Sequence, residues 1–141
     1  MESWLLFALL SAVFAAATSI LAKIGIKGVD SNLATAIRTV VITVFAWGIV
    51  WAQGTIKSLT HLNKTTWIFL ILSGLATGLS WLFYFRALQL GEASKVVPID
   101  KLSLVLAVVM AVVFLQEKLS WPTIVGSILI TGGVLVMAVW K

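Results

Sequence analysis

The stretch VVPIDKLSLVLAVVMAVVFL, residues 96–115, decides how this chain folds. From Leu102 to Leu115 run roughly 14 mostly apolar residues, which at ~1.5 Å of rise cover about 21 Å as a helix. The hydrocarbon core of a bilayer is ~30 Å thick and takes ~20 helical residues to cross. A spanning helix here must therefore borrow the preceding residues, which brings Pro98, Asp100 and Lys101 to the membrane or its inner edge. Such a segment is consistent with a membrane helix only if the rest of the chain is equally apolar.

It is. Of 141 residues 61% are hydrophobic and 11% charged, against about half apolar and a quarter charged in a soluble domain. Apolar segments of spanning length lie at about 4–22, 33–52, 66–87, 95–115 and 121–140. Transmembrane strands would show ~10-residue segments of alternating polarity, and none is present. A helix is the remaining way to satisfy backbone groups in lipid. The expected fold is all-α: a polytopic membrane protein, a bundle of five transmembrane helices forming one domain over residues 1–141. The head of the chain, Met1-Glu2-Ser3, lacks the basic region of a secretory signal, so the first helix reads as retained.

Connections are short. Gly25, Gly28 and Asp30-Ser31-Asn32 read as a helix end, a turn and a new N-cap. The longest loop runs from Gln53 to Thr65. Gly91 reads as a stop and Ser94 as a cap for the fourth helix, Gln116 to Ser120 as a tight turn, and Pro122 sits in a first turn. Trp4, Trp51, Trp67, Trp121 and Trp140 fall near segment ends, where indole rings favour the headgroup layer. Trp47 and Trp81 lie deeper. Lys57, Lys64 and Lys118 fall on one side of the membrane; Lys23, Lys27, Arg38, Arg86, Lys95, Lys101 and Lys141 fall on the other. The positive-inside rule then favours a cytoplasmic C-terminus, a bias that almost vanishes if Arg38, Arg86 and Lys101 lie within spans. The net charge of +5 is thus a topology signal rather than a nucleic-acid one.

Asp100 and Lys101 are adjacent, so on one helix their side chains diverge by ~100° and pair poorly with each other. Two readings are open: the interfacial end of a helix with Lys101 snorkelling, or a charged lining to a solute path. Pro98 frees a carbonyl one turn earlier and bends the helix. Small and hydroxyl residues form stripes on four helices: Ser11, Ala15, Thr18 and Ala22; Thr35, Thr39, Thr43 and Ala46 with Arg38 beside them; Ser73, Thr77, Ser80 and Tyr84; and Asp100, Ser103, Ala107 and Ala111. Such stripes line a wetted cavity or form close packing seams, as GxxxG at Gly74 and Gly78 does. Arg38 reads as an attractor for an anionic group or a partner for Asp100, and Trp81 with Tyr84 as an aromatic wall. Arg86 reads as a snorkelling side chain. The sequence holds no cysteine and a single histidine, His61. No catalytic constellation, metal site or cofactor motif is present, so no enzyme is expected.

From Gly78 to Ala138, and most of all in YFRALQLGEASKVVPIDKLSLVLAVVMAVVFLQEKLSWPTIVGSILITGGVLV, the chain resembles the single-domain EamA branch of the drug/metabolite transporter superfamily. The likeness is most specific at Tyr84 to Leu90, at the Pro98 segment, at Glu117 with its short turn, and at Gly126 with Gly132 and Gly133; Arg38 fits it too. The resemblance implies carriage of a small metabolite, amino acid or drug. It also implies half of a ten-helix inverted repeat, because an odd helix count places tandem units in opposite orientations. A single unit then requires an antiparallel homodimer or a second half-size chain. In size the chain is also similar to small multidrug exporters, but helix one lacks their embedded glutamate. Asp100, and more weakly Glu92, is the nearest substitute.

The expected function is a secondary carrier in a cell membrane, a bacterial inner membrane, with Arg38, Trp81, Tyr84, Asp100, Lys101 and Ser103 along the solute path. The alternatives are a non-transporting subunit packed through Gly74, Gly78, Gly126 and Gly133, or a flippase for a lipid-linked sugar.

Overall fold

The computed structural model describes residues 3–139, which are almost wholly helical. Trp140 and Lys141, the expected last anchor and terminal charge, and Met1 and Glu2 lie outside the described residues. The elements are α1 (Ser3–Gly25), α2 (Ser31–Ala52), a 3-10 helix (Thr55–His61), α3 (Lys64–Leu90), α4 (Ala93–Asp100), α5 (Leu102–Leu115) and α6 (Trp121–Val139). With α4 and α5 taken as one span of 23 residues, five helical segments among the described residues are long and apolar enough to cross a membrane. The fold is an all-α membrane protein.

Three details depart from the sequence reading. The longest loop is not irregular, since the 3-10 helix fills it and α3 begins at Lys64. The N-cap of α4 is Glu92 rather than Ser94; its carboxylate lies 3.8 Å from Lys95 Nζ. The fourth span is not one helix, because Lys101 separates α4 from α5. Pro98 has no N–H to give the Ser94 carbonyl, so the ladder loses a rung there. Three residues later the chain tightens, with Lys101 N–H donating to the Pro98 carbonyl at 3.0 Å.

Other helix ends follow their residues. Asp30 Oδ1 accepts from the Asn32 and Leu33 N–H groups at 2.9 and 3.0 Å, fixing the start of α2 as expected. Asn63 Oδ1 does the same for α3 through Thr66 N–H at 2.7 Å. At the end of α5, Gln116 turns left-handed at φ 55°, and the Glu117 N–H reaches back to the Ala111 carbonyl. Trp4, Trp51, Trp67 and Trp121 sit near helix ends and are exposed, as headgroup anchors should be.

The chain divides into two compact units, one ending at Gln89 and one beginning at Leu90. In the first, the buried apolar side chains are Ala22 and Ile26, at and just past the last turns of α1, and Phe85 and Leu88 near the end of α3. The buried hydroxyls Ser19, Ser31 and Thr35 belong to the same cluster of helix ends. In the second, α6 lies against both α4 and α5. Its inward face is the i, i+3, i+7, i+10 row Ile124, Ser127, Thr131 and Val134, all buried or half-buried. Most large apolar side chains elsewhere are exposed, which suits a surface solvated by lipid tails rather than water.

Candidate functional site

The site begins with α3. Tyr84 and Phe85 stand near its end, and their rings meet edge to face with centroids 5.2 Å apart. The Tyr84 hydroxyl is 2.6 Å from Ser19 Oγ on α1. Ser19 Oγ also lies 2.9 Å from the Ala15 carbonyl, to which only it can donate. A hydroxyl has one proton, so Tyr84 is the donor in the pair and keeps its own lone pairs open.

Phe85, 2% exposed, carries the second contact: the guanidinium carbon of Arg38 sits 3.9 Å from its ring centroid. Arg38 projects from the second turn of α2 and lines a cleft of about 410 Å³ between α1 and α2 with Thr18, Leu21, Ala34 and Ile37. Arg38 Nη1 is buried and makes no hydrogen bond among the described residues. A buried N–H donor without a partner is expensive, and a guanidinium in that state is ready to receive an anionic or carbonyl oxygen. The π face of Phe85 offsets part of the cost of keeping this charge out of water.

The end of α3 is tied down by polar side chains. Lys23 Nζ donates to the Leu88 carbonyl, satisfying one of the last orphan carbonyls of α3 and meeting the negative end of its dipole. Gln89 Nε2 donates to the Val29 carbonyl, and Gln89 Oε1 accepts from Arg86 Nη1, both at 2.7 Å.

In the second unit the site is the break itself. Lys101 follows the 8 residues of α4, so it lies about 12 Å along a span about 34 Å long. Lys101 Nζ and Asp100 Oδ2 are 3.5 Å apart. The two side chains therefore meet against expectation, although Lys101 itself keeps a right-handed helical backbone at φ −69° and ψ −8°. The pair is not sealed: the Asp100 side chain is 33% exposed and that of Lys101 52%. Ser103 is exposed on the first turn of α5.

The sequence-predicted residues thus fall into two sets. Arg38 and Tyr84 both contact Phe85, and Trp81 is half-buried one turn before it. The ring beside Tyr84 is Phe85, not Trp81, so the aromatic wall is composed differently from the expectation. Asp100 and Lys101 pair with each other; the partner of Arg38 is Phe85. Ser19, Phe85, Leu88 and Gln89 escaped the sequence reading. Ser19 sits one position beside the expected stripe member Thr18, and the buried row of the first unit is Ser19, Ala22 and Ile26. An i, i+3, i+7 search through serine instead of threonine finds it.

The hydroxyl stripes behave less like a water lining than expected. Thr35, Thr39 and Thr77 each donate to the carbonyl four residues back in their own helix, at 2.7 to 2.9 Å, as Thr131 of α6 does outside the stripes. Their donors are therefore spent locally. The α2 stripe still shapes space: Thr35, Thr39 and Thr43 line a cleft of about 500 Å³ with Gly78 and Leu82 of α3. Ser73, Thr77 and Ser80 are exposed. A Cβ built at Gly74, Gly78, Gly126 or Gly133 meets no side chain within 4 Å among the described residues, so these glycines close no seam there.

The chain is similar to a curated protein from Sinorhizobium sp named as an uncharacterized transporter in the cobO 3'region, with 49% identity over 139 residues and 99% of each chain covered. No solved structure matches it. A family model described as the EamA-like transporter family matches residues 2–139. With a matched range of this extent, the protein belongs to the EamA-like transporter family.

Proposed function

We propose that the protein is a secondary carrier for a small organic solute in a bacterial inner membrane, working by alternating access. The observation that carries this reading is the helix break at Asp100–Lys101, about a third of the way along an apolar span. Irregular backbone and charge at such depth are tolerated where they line a cavity or protein interior. Discontinuous helices recur at the solute sites of carriers. Family membership and the transporter name of the relative support the same reading.

Asp100 and Lys101 set the charge preference of the path, Ser103 adds a hydroxyl, and Arg38, Tyr84 and Trp81 serve polar and apolar contacts in the first unit. One five-span unit needs a counterpart for rocking motion, an antiparallel second copy or a second half-size chain. The unfilled faces at Gly74, Gly78, Gly126 and Gly133 favour such a partner, because small residues let helix backbones approach closely. Reconstituted liposomes test the reading. Solute-dependent flux is lost in Asp100→Asn and in Lys101→Ala while both variants remain folded; undiminished flux in both overturns the site. Probing the C-terminus from both faces of intact cells tests the pairing. A mixed population supports the antiparallel copy, and a uniform one requires a second chain or a parallel assembly.

A further inference from the structure

We propose that the first unit holds a site for the headgroup of an anionic phospholipid where α1 turns into α2. A cavity of about 570 Å³ there is lined by Lys23, Ile24, Ile26, Lys27, Gly28 and Gln89. Lys23 and Lys27, four residues apart, both line this space, Lys23 while its Nζ also donates to the Leu88 carbonyl, and a third cation, Arg86, bonds to Gln89 of the same lining. The only acidic side chain in the turn, Asp30, has Oδ1 committed to two N–H groups of α2. Lys27 is exposed and forms no ion pair among the described residues. Gly28, at φ +78°, lets the chain turn with no Cβ in the opening.

The depth and lining select a lipid over a free anion. Lys23 and Lys27 stand at the end of a 23-residue helix about 34 Å long, at headgroup level once the helix spans the core. Ile24 is 69% exposed beside them and offers apolar surface to the first methylenes of a chain. Basic pockets between spans suit phosphate headgroups. The site is independent of the transport reading and uses none of its proposed path residues.

The test is native mass spectrometry of the full-length protein purified in detergent and titrated with phosphatidylglycerol or phosphatidylcholine. The wild type retains phosphatidylglycerol more tightly. Each basic group near an anionic surface contributes about a fivefold effect. Lys27→Gln therefore weakens phosphatidylglycerol about fivefold, and Lys23→Gln with Lys27→Gln ~25-fold, without change for phosphatidylcholine. Lys57→Gln with Lys64→Gln, on the opposite membrane side, leaves the preference intact. Because Lys23 also holds the end of α3, Lys27→Gln alone is the decisive variant if the double variant unfolds. An unchanged preference in Lys27→Gln overturns the site. Displacement of the lipid by inorganic phosphate at matched concentration overturns the lipid assignment.

Discussion

The contact between Arg38 and Phe85 makes a quantitative prediction about how this membrane protein keeps a guanidinium at depth. The guanidinium carbon is 3.9 Å from the ring centroid, Phe85 is almost fully buried, and Nη1 is shielded. Cation–π contacts range from ~0.5 kcal/mol when exposed to ~2 kcal/mol or more when desolvated. This geometry belongs at the upper end, about 2 kcal/mol, or roughly 30-fold in an equilibrium constant. Phe85→Leu keeps an apolar side chain but removes the π face. It should destabilise by about 3 kcal/mol, of which ~1 is imperfect repacking. Arg38→Met keeps the stem and removes the charge. Its effect alone is smaller, because the lost contact is offset by relief of the buried, unpartnered Nη1. The double-mutant cycle isolates the pair. We expect a coupling of about 2 kcal/mol from reversible unfolding in mixed micelles titrated with sodium dodecyl sulfate, followed by tryptophan fluorescence. A coupling below ~0.5 kcal/mol, the ordinary error of additivity, would refute the idea that Phe85 holds Arg38.

Tyr84→Phe deletes the hydroxyl that donates to Ser19 while leaving the ring against Phe85. Interhelical hydrogen bonds in membrane proteins average ~0.6 kcal/mol with a maximum near ~1.7, so thermal unfolding should shift by a small but measurable amount; a loss of several kcal/mol would show that Tyr84 does more than tie α3 to α1. Asp30→Ala should destabilise the first unit by about 1 kcal/mol through loss of the α2 cap, and Asp30→Asn should restore most of it. Amide exchange at Asn32 and Leu33 reports the two directly, and equal protection in all three proteins would contradict the capping role. Gly28→Ala forces a Cβ into the left-handed region at a cost of about 1 kcal/mol. Since no neighbour lies within 4 Å of that Cβ, the penalty is conformational, and Gly28→Asn should lower the unfolding temperature less than Gly28→Ala does.

The amino-acid sequence by itself determined the environment and the elements. Apolar runs of spanning length leave the backbone no choice but helix, and local chemistry marked several ends: Asp30 reaches N–H groups two and three residues ahead, and Gln116 sits in a turn too short to need distant partners. Pro98 announced a bend because a missing N–H is a covalent fact, although the place where the helix breaks, at Lys101, depends on how the freed chain tightens. Which faces meet was decided by tertiary structure. In water, burial selects the apolar face, so polarity along a helix tells which side turns inward. In lipid the tails are as apolar as leucine, and that selection disappears. The threonine stripes consequently satisfied their donors within their own helices, and the buried row on α1 ran through Ser19 rather than Thr18. Arg38 met a phenylalanine from α3 that no spacing rule singles out. Asp100 met its own neighbour Lys101, where α4 ends, rather than a cation of another helix.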